Sequence, residues 1–156
     1  MTASEQNKYW LEWHRFQQRY EKAYEKRFVK ALQEQVRAYI KTQDIMAIPV
    51  FPIYDNLLSL YKTVGPAWAR VARMESFKYD DTFPTGSMGF NERIVELMRQ
   101  YYGIDLLNDA NLMTTYSRQV IMKVLSDAAD KGLSFDDIVK ALLTHPEFNA
   151  MRARRI

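Results

Sequence analysis

The fold is decided by residues 4–42, which read SEQNKYWLEWHRFQQRYEKAYEKRFVKALQEQVRAYIKT. This stretch contains neither proline nor glycine, the residues that most often end a helix. Its main apolar residues recur every three or four positions, at Tyr9, Trp13, Phe16, Tyr20, Tyr24, Phe28, Leu32, Val36 and Ile40. That spacing is typical of an amphipathic helix and not of a strand. It predicts one long helix that is capped by Ser4 and runs to about Thr42.

The apolar stripe of this helix winds around the helix axis, because its mean step exceeds the ~3.6 residues of one turn. One flat surface cannot cover such a stripe along a helix of roughly 57 Å. We therefore expect the helix to bend or break, or different partners to cover its two ends. The first half is also too aromatic for a solvated rod. It predicts a partner-binding surface made of Trp10, Trp13, Phe16, Tyr20 and Tyr24.

The remaining residues, 44–156, predict a small irregular body of five or six shorter helices and no strand, so the fold class is all-α. We expect this body and the long helix of residues 1–43 to form one domain. Residues 44–52 are a connector in which two prolines stop any helix. A short helix follows near residues 55–62, and Gly65-Pro66 separates it from the next helix.

Glycine and capping residues also divide the second half of the body. Residues 78–90 form the main loop, and residues 91–101 form a helix that Gly103 ends. Thr115 caps a helix over residues 116–131.

The last two predicted helices each begin at a capping box. Gly132 ends the preceding helix, and Ser134 then begins a box in which Asp137 takes the usual place of glutamate. The sequence Thr144-His145-Pro146-Glu147 predicts a final helix that continues through Arg155.

The charge of the chain is concentrated at its C-terminal end. The net charge is +3, and Arg152, Arg154 and Arg155 account for all of it. This is not the global excess of cations that a free-standing nucleic-acid-binding protein usually has. The arginines can bind nucleic acid or stabilise the C-terminal end of their own helix, and the second interpretation is the more common in proteins.

A second basic pattern follows the long helix. Eight cations fall within a sector of about 100° on a helical wheel, namely Lys8, Arg15, Arg19, Lys22, Lys26, Lys30, Arg37 and Lys41. Arg15, Arg19, Lys22 and Lys26 are the candidate contacts to nucleic acid or to an acidic protein. The opposing interpretation is a solvated face, which nearby acids neutralise, and it is favoured here. These acids are Glu12, Glu21, Glu25 and Glu34.

No pattern of residues predicts catalysis, a metal site or a cofactor. The two histidines, His14 and His145, have no second ligand at metal-binding spacing. Asp136-Asp137 lies where acids complement a helix dipole, and Asp80-Asp81 lies in the predicted loop. The loop at residues 84–89 has glycines but no phosphate-binding ending. With no cysteine, no apolar run long enough for a membrane and a polar N-terminus, we expect a protein made in the cytoplasm.

Four stretches of the chain occur in the order of a known family. Residues 24–32 (YEKRFVKAL) resemble its opening helix, and residues 60–69 (LYKTVGPAWA) its valine-glycine and tryptophan-alanine stretch. The threonine pair at 114–115 with Gly132-Leu133-Ser134 resembles its next passage. Phe148 and RARRI at 152–156 resemble the lead-in to its arginine-alanine motif. Together they resemble the phage head morphogenesis, or Mu F-like minor head protein, family.

The resemblance implies a structural protein of a bacteriophage head that is made in the host cytoplasm and built into the virion. Its implied partner is the portal or a capsid protein, and a second copy of the chain or packaged DNA are further candidate partners. The family's C-terminal domain and its best-marked residues have no counterpart here, so no site residue is carried over. The alternative hypothesis is a DNA-contacting helical module that uses the basic residues of the first helix and the terminal arginines.

Overall fold

The computed structural model describes residues 2–77, 100 and 103–156, and most of these residues are helical with no strand among them. The helices are α1 (Ala3–Thr42), α2 (Phe51–Phe77), α3 (Gly103–Asp130), α4 (Phe135–Thr144) and α5 (Ala150–Ala153), with 3₁₀ turns at Ile45–Ala47 and Pro146–Phe148. The predicted all-α class, with a long first helix followed by shorter ones, is confirmed. The predicted loop at 78–90 and almost all of the predicted helix at 91–101 lie outside the described residues, as do Asp80 and Asp81.

Helix α1 is continuous for 40 residues, which corresponds to about 60 Å. Its N-cap is Thr2 and not the predicted Ser4, because Thr2 forms a complete capping box with Glu5. The Glu5 amide donates to Thr2 Oγ1 over 3.3 Å, and the Thr2 amide donates to Glu5 Oε2 over 2.6 Å. At the other end Gln43 is left-handed, with φ 52°, and its amide donates to the Tyr39 carbonyl. The helix therefore ends where the sequence predicts.

Helix α2 runs without a break through Gly65-Pro66, so the prediction of two separate helices is wrong. Pro52 does not stop a helix but stands at its second residue, where an amide proton would lack an intrahelical acceptor in any case. Pro66 costs the helix one backbone hydrogen bond, but its fixed φ is compatible with helical backbone.

Helix α3 begins at Gly103, twelve residues before the predicted cap Thr115, so that prediction is also wrong. The hydroxyl of the neighbouring Thr114 donates to the carbonyl of Ala110 over 2.8 Å, which satisfies it inside the helix. The predicted stop is confirmed: Gly132 has φ +63°. Its amide donates to the Ala129 carbonyl, and the Leu133 amide donates to the Ala128 carbonyl, which is the Schellman pattern.

The last predicted helix is replaced by the 3₁₀ turn at Pro146–Phe148 and the short helix α5 at Ala150–Ala153. Ser134 and Asp137 form the predicted capping box of α4. The hydroxyl of Thr144, however, bonds back to the Lys140 carbonyl, and the Glu147 amide donates to Nδ1 of His145 instead. Asn149 is extended, with φ −130° and ψ −167°, and it separates the 3₁₀ turn from α5. The backbone therefore changes direction where a continuous helix was predicted.

The chain forms two compact units. One unit holds residues 1–49 and 116–156, and the other holds residues 50–115. In the first unit α1 packs against α4, the 3₁₀ turn at 146–148 and α5. Its fully buried side chains include Phe28, Leu32, Val36, Ile121, Leu142 and Phe148. The second unit buries Ile53, Leu57, Leu106 and Ala110. Among the described helices, none is long and apolar enough to cross a membrane.

Candidate partner-binding surface

The two halves of α1 differ sharply in exposure. In the second half the side chains of Phe28, Leu32 and Val36 are buried in the core of their unit. In the first half Trp10 is 62% exposed and Leu11 is 60% exposed, although both are large and apolar. The core of the unit therefore covers the stripe from Tyr24 onward, whereas Trp13, Phe16 and Tyr20 are half-buried. Helix α1 does not break, and the alternative in which different partners cover its two ends stays a prediction.

Three aromatic side chains form a continuous row on the first half of α1. The rings of Trp13 and Phe16 are stacked, with 6.0 Å between their centroids and 16° between their planes. The rings of Phe16 and Tyr20 are tilted by 52°, with centroids 4.8 Å apart. All three side chains are half-buried, because they cover one another. With Trp10, which lies three residues before Trp13 on the helix, they define the surface that we call the aromatic face.

The aromatic row is turned away from the core-packing direction. At about 100° per residue, Trp13, Phe16 and Tyr20 are centred roughly 90° around the helix from the buried positions of the second half. The direction that continues the buried face is polar in the first half apart from Trp10, and there Gln17 Nε2 donates to Glu21 Oε1 over 2.8 Å. An extension of the same core surface would therefore meet Trp10 and polar groups, and not the row of three rings. The aromatic face suits a different partner surface.

Tyr24 was predicted to belong to the partner-binding surface, and this prediction is wrong. Its side chain is only 6% exposed and belongs to the core of its own unit. The guanidinium carbon of Arg27 lies 5.0 Å from the centroid of the Tyr24 ring, a distance typical of a cation–π contact. Tyr24 therefore marks the position at which α1 passes from the aromatic face into the core.

The terminal arginines were predicted to be candidate nucleic-acid contacts, and the structure places all three in contacts within the chain. Arg152 is 5% exposed, and its Nη1 donates to Ser117 Oγ over 2.9 Å. Arg154 Nε donates to Glu25 Oε2 over 3.1 Å, and the Glu25 partner raises the pKa of Arg154. Arg155 Nη2 donates to both carboxylate oxygens of Glu147, over 2.6 and 2.7 Å. The fold thus buries the charge of Arg152 and pairs those of Arg154 and Arg155, although the sequence suggests an exposed basic C-terminal segment.

Arg152 belongs to a buried polar cluster that the sequence does not predict. Ser117 donates its hydroxyl proton to Gln35 Oε1 over 2.7 Å, and Gln35 Nε2 donates to the Pro49 carbonyl over 2.9 Å. The guanidinium carbon of Arg152 lies 4.7 Å from the centroid of the Tyr116 ring. Burial lowers the pKa of Arg152, and the charge of Glu147 opposes that effect. The cluster joins α1, α3 and α5, so its role is to fix the core that holds α1.

One sequence signal could have revealed this cluster. Gln35 lies three residues after Leu32 and four before Tyr39, so it falls in the middle of the apolar face of α1. A polar residue at such a position must find a partner inside the core. The partners Ser117 and Arg152 are distant in the sequence, and only the fold identifies them.

The basic residues of α1 remain on the surface. Arg15, Arg19, Lys22 and Lys26 are all exposed, and so are Lys8, Lys30, Arg37 and Lys41. We call these eight residues the basic face. Its centre lies roughly 170° around the helix from the buried positions of the second half, at about 100° per residue. The core therefore leaves the whole basic face open.

Neither histidine has the surroundings of a metal ligand. His145 uses Nδ1 to cap the turn at 146–148, and His14 is exposed on α1. No group of three or more potential ligands is present in the part of the chain that the structure describes. Asp137 accepts hydrogen bonds from Ser134 in the first turn of α4, as expected for a capping acid.

Comparisons with protein-family models, with curated proteins and with solved structures find no match. The resemblance to the Mu F-like minor head proteins stays a prediction.

Proposed function

We propose that this chain is a structural protein of an assembly and that it acts by binding another protein through the aromatic face of α1. The observation that carries the proposal is the exposure of Trp10 beside the aligned rings of Trp13, Phe16 and Tyr20. Tryptophan and tyrosine are the residues in which interface binding energy is most often concentrated. Such a set on a monomer surface typically marks an interaction site.

The construction of α1 fits this role. The second half is held in place by buried contacts with α4, α5 and the 3₁₀ turn at 146–148. The first half continues the same helix without a break. The aromatic face is therefore presented on a preformed helix, and a partner does not have to order that segment from a disordered state, which would weaken binding. The binding mode is that of a helix whose apolar side chains enter a groove.

The resemblance to the Mu F-like family favours the portal or a capsid protein of a bacteriophage head as the partner. In that setting the chain is a minor component of the virion that assists head assembly or DNA delivery. The proposal assigns no catalytic step and no cofactor to the chain. The core-packed end of α1 would anchor the protein's own body, and the aromatic end would enter the partner.

The test is a binding measurement between the purified chain and a purified candidate portal protein, with wild type compared with Trp13→Ala/Phe16→Ala. Truncating two central aromatic side chains is expected to weaken binding by at least tenfold, because such residues often contribute more than about 1 kcal/mol each. The matched control is Met46→Ala/Phe51→Ala, which removes two exposed apolar side chains elsewhere. Circular dichroism would check that both variants keep their helix content.

Two outcomes would overturn the proposal. One is equal binding by wild type and Trp13→Ala/Phe16→Ala. The other is the absence of binding to the portal and to the major capsid protein at micromolar concentrations. Sedimentation of the chain alone completes the test, since dimerisation that the same substitutions abolish would identify a second copy as the occupant of the aromatic face and exclude the portal.

A further inference from the structure

We propose that the basic face of α1 binds the phosphate backbone of double-stranded DNA without sequence preference. This site is separate from the aromatic face and does not rest on the protein-binding role proposed above. The terminal arginines take no part in it, because Arg154 and Arg155 are ion-paired and Arg152 is buried. The site consists of residues of α1 alone.

The geometry of the basic face provides the first argument. From Lys8 to Lys41 the eight exposed cations extend over about 50 Å, at ~1.5 Å per residue. They stay within one sector and do not wind, in contrast to the apolar stripe. Because this sector lies opposite the core, a rod of DNA can approach it without disturbing the packing of α1.

The positions of the acidic residues provide the second argument. Of the four acids expected to neutralise the basic face, two lie on other sides of the helix. Glu25 is paired with Arg154, and Glu21 accepts a hydrogen bond from Gln17. Both lie far around the helix from the basic face on a wheel of about 100° per residue. Glu5 and Glu12 lie within the sector and Glu34 lies at its edge, so eight cations face three acids and an excess of positive charge remains.

The spacing of the cations favours DNA over an acidic protein surface. One cation occurs about every 7 Å along the face, whereas duplex DNA carries one negative charge per ~1.7 Å of its axis. Each lysine or arginine can therefore reach a phosphate with little adjustment. A protein partner would need carboxylates in a matching row of the same length. A face of exposed, flexible cations also lacks the fixed donors that read base edges, so no sequence preference is expected.

The test measures the binding of fluorescent duplexes of about 30 base pairs by anisotropy between about 50 and 200 mM salt. Wild type is expected to bind two unrelated sequences equally. The logarithm of its association constant should fall with the logarithm of salt concentration with a slope of roughly −4 to −6, which corresponds to about five or six phosphate contacts. The triple variant Arg19→Gln/Lys22→Gln/Lys26→Gln should reduce that slope by about 3.

The matched control is Lys123→Gln/Lys131→Gln/Lys140→Gln, which removes the same charge from exposed positions on other parts of the chain. Its slope should remain close to that of wild type. The proposal is overturned if wild type does not bind DNA at about 50 mM salt, or if the two triple variants lose the same slope. Because neither triple variant alters the aromatic face, portal binding measured with them separates failure of this site from failure of the proposed function.

Discussion

Arg152 in α5 donates a hydrogen bond to Ser117 in α3 over 2.9 Å, and this buried contact joins two residues that are 35 positions apart in the sequence. Ser117 in turn donates a hydrogen bond to Gln35 of α1, and the Arg152 guanidinium lies over the Tyr116 ring. A residue that looks like part of a basic tail is therefore part of the interior. The two arginines that follow it stay at the surface and differ from it in their expected contribution to stability.

Replacement of Arg152 tests this difference. Arg152→Ala should lower the free energy of unfolding by about 2–3 kcal/mol, because the buried stem and the ring contact are lost. Arg152→Met should cost less than half of that, since methionine keeps apolar volume and removes a buried charge. Arg154→Ala should leave the free energy of unfolding nearly unchanged, because exposed ion pairs contribute little. Urea denaturation measures all three, and equal losses at Arg152 and Arg154 would contradict the assignment.

The side chains of Gln35 and Ser117, which share a hydrogen bond, should contribute to the free energy of unfolding in a coupled way. Gln35→Leu should lower the free energy of unfolding by about 1–3 kcal/mol, because the Ser117 hydroxyl and the Pro49 carbonyl lose their partner in the core. The double variant Gln35→Leu/Ser117→Ala should lose less than the sum of the two single variants, with a coupling of at least about 0.5 kcal/mol. Gln17→Leu is the control, since its hydrogen bond to Glu21 lies at the surface. Strict additivity would show that the two side chains act independently.

Local sequence signals predicted the features of the fold that depend on local chemistry. The spacing of apolar residues predicted α1, and Ser134 with Asp137 and Gly132 predicted the ends of their helices correctly. The errors occurred where a local breaker competes with longer-range packing. Gly65-Pro66 did not break α2, and Thr115 lies inside α3 because nearby hydroxyls can bond within a helix. Propensity alone does not decide such cases.

For the candidate surfaces too, local sequence predicts some features and long-range packing decides the others. Trp10, Trp13, Phe16 and Tyr20 and the basic face were identified by residue type and helical spacing. The placement of Tyr24 in the core, and the pairing of Arg154 with Glu25, depend on how the last 41 residues pack against α1. No local pattern contains that information.

The capping box of α4 predicts a dependence of stability on pH. Asp137 Oδ2 accepts from Ser134 Oγ over 2.6 Å and from the Ser134 amide over 3.3 Å, and these bonds lower the pKa of Asp137. A carboxylate with a lowered pKa in the folded state stabilises the fold above its ordinary pKa of about 4, and this contribution is lost as pH falls through the folded value. Ser134→Ala should therefore reduce the loss of stability below about pH 4.

Unfolding curves at about pH 6 and pH 3 for wild type and Ser134→Ala would measure the effect. Ser126→Ala, at an exposed position of α3, is the matched control and should show the dependence of wild type. An identical loss of stability in wild type and Ser134→Ala would show that other carboxylates govern the acid response.

The two described glycines with open surroundings should respond oppositely to alanine. A Cβ atom at Gly132 or at Gly103 would meet no atom within 4 Å, so neither substitution causes a clash. Gly132 has φ +63°, where an L side chain is strained by about 1 kcal/mol, and Gly132→Ala should lower the melting temperature. Gly103 is the first residue of α3. Gly103→Ala should raise the free energy of unfolding by between zero and about 1 kcal/mol, so the melting temperature should stay unchanged or rise. A lower melting temperature for both variants would contradict this explanation.

The unequal burial of α1 predicts unequal protection of its backbone. Amides around residues 24–39 lie in the part of the helix with buried Phe28, Leu32 and Val36, and they should exchange with solvent only in large openings of the core. Amides around residues 6–20 belong to the same unbroken helix but lack such packing, so they should exchange faster through local opening. Hydrogen–deuterium exchange with peptide-level detection measures both segments in one experiment.

Uniform protection along α1 in the isolated chain would mean that a second surface already covers the aromatic face. A partner that binds that face should slow exchange at residues 10–20 and leave residues 24–39 unchanged, because those amides are already protected by the chain's own core.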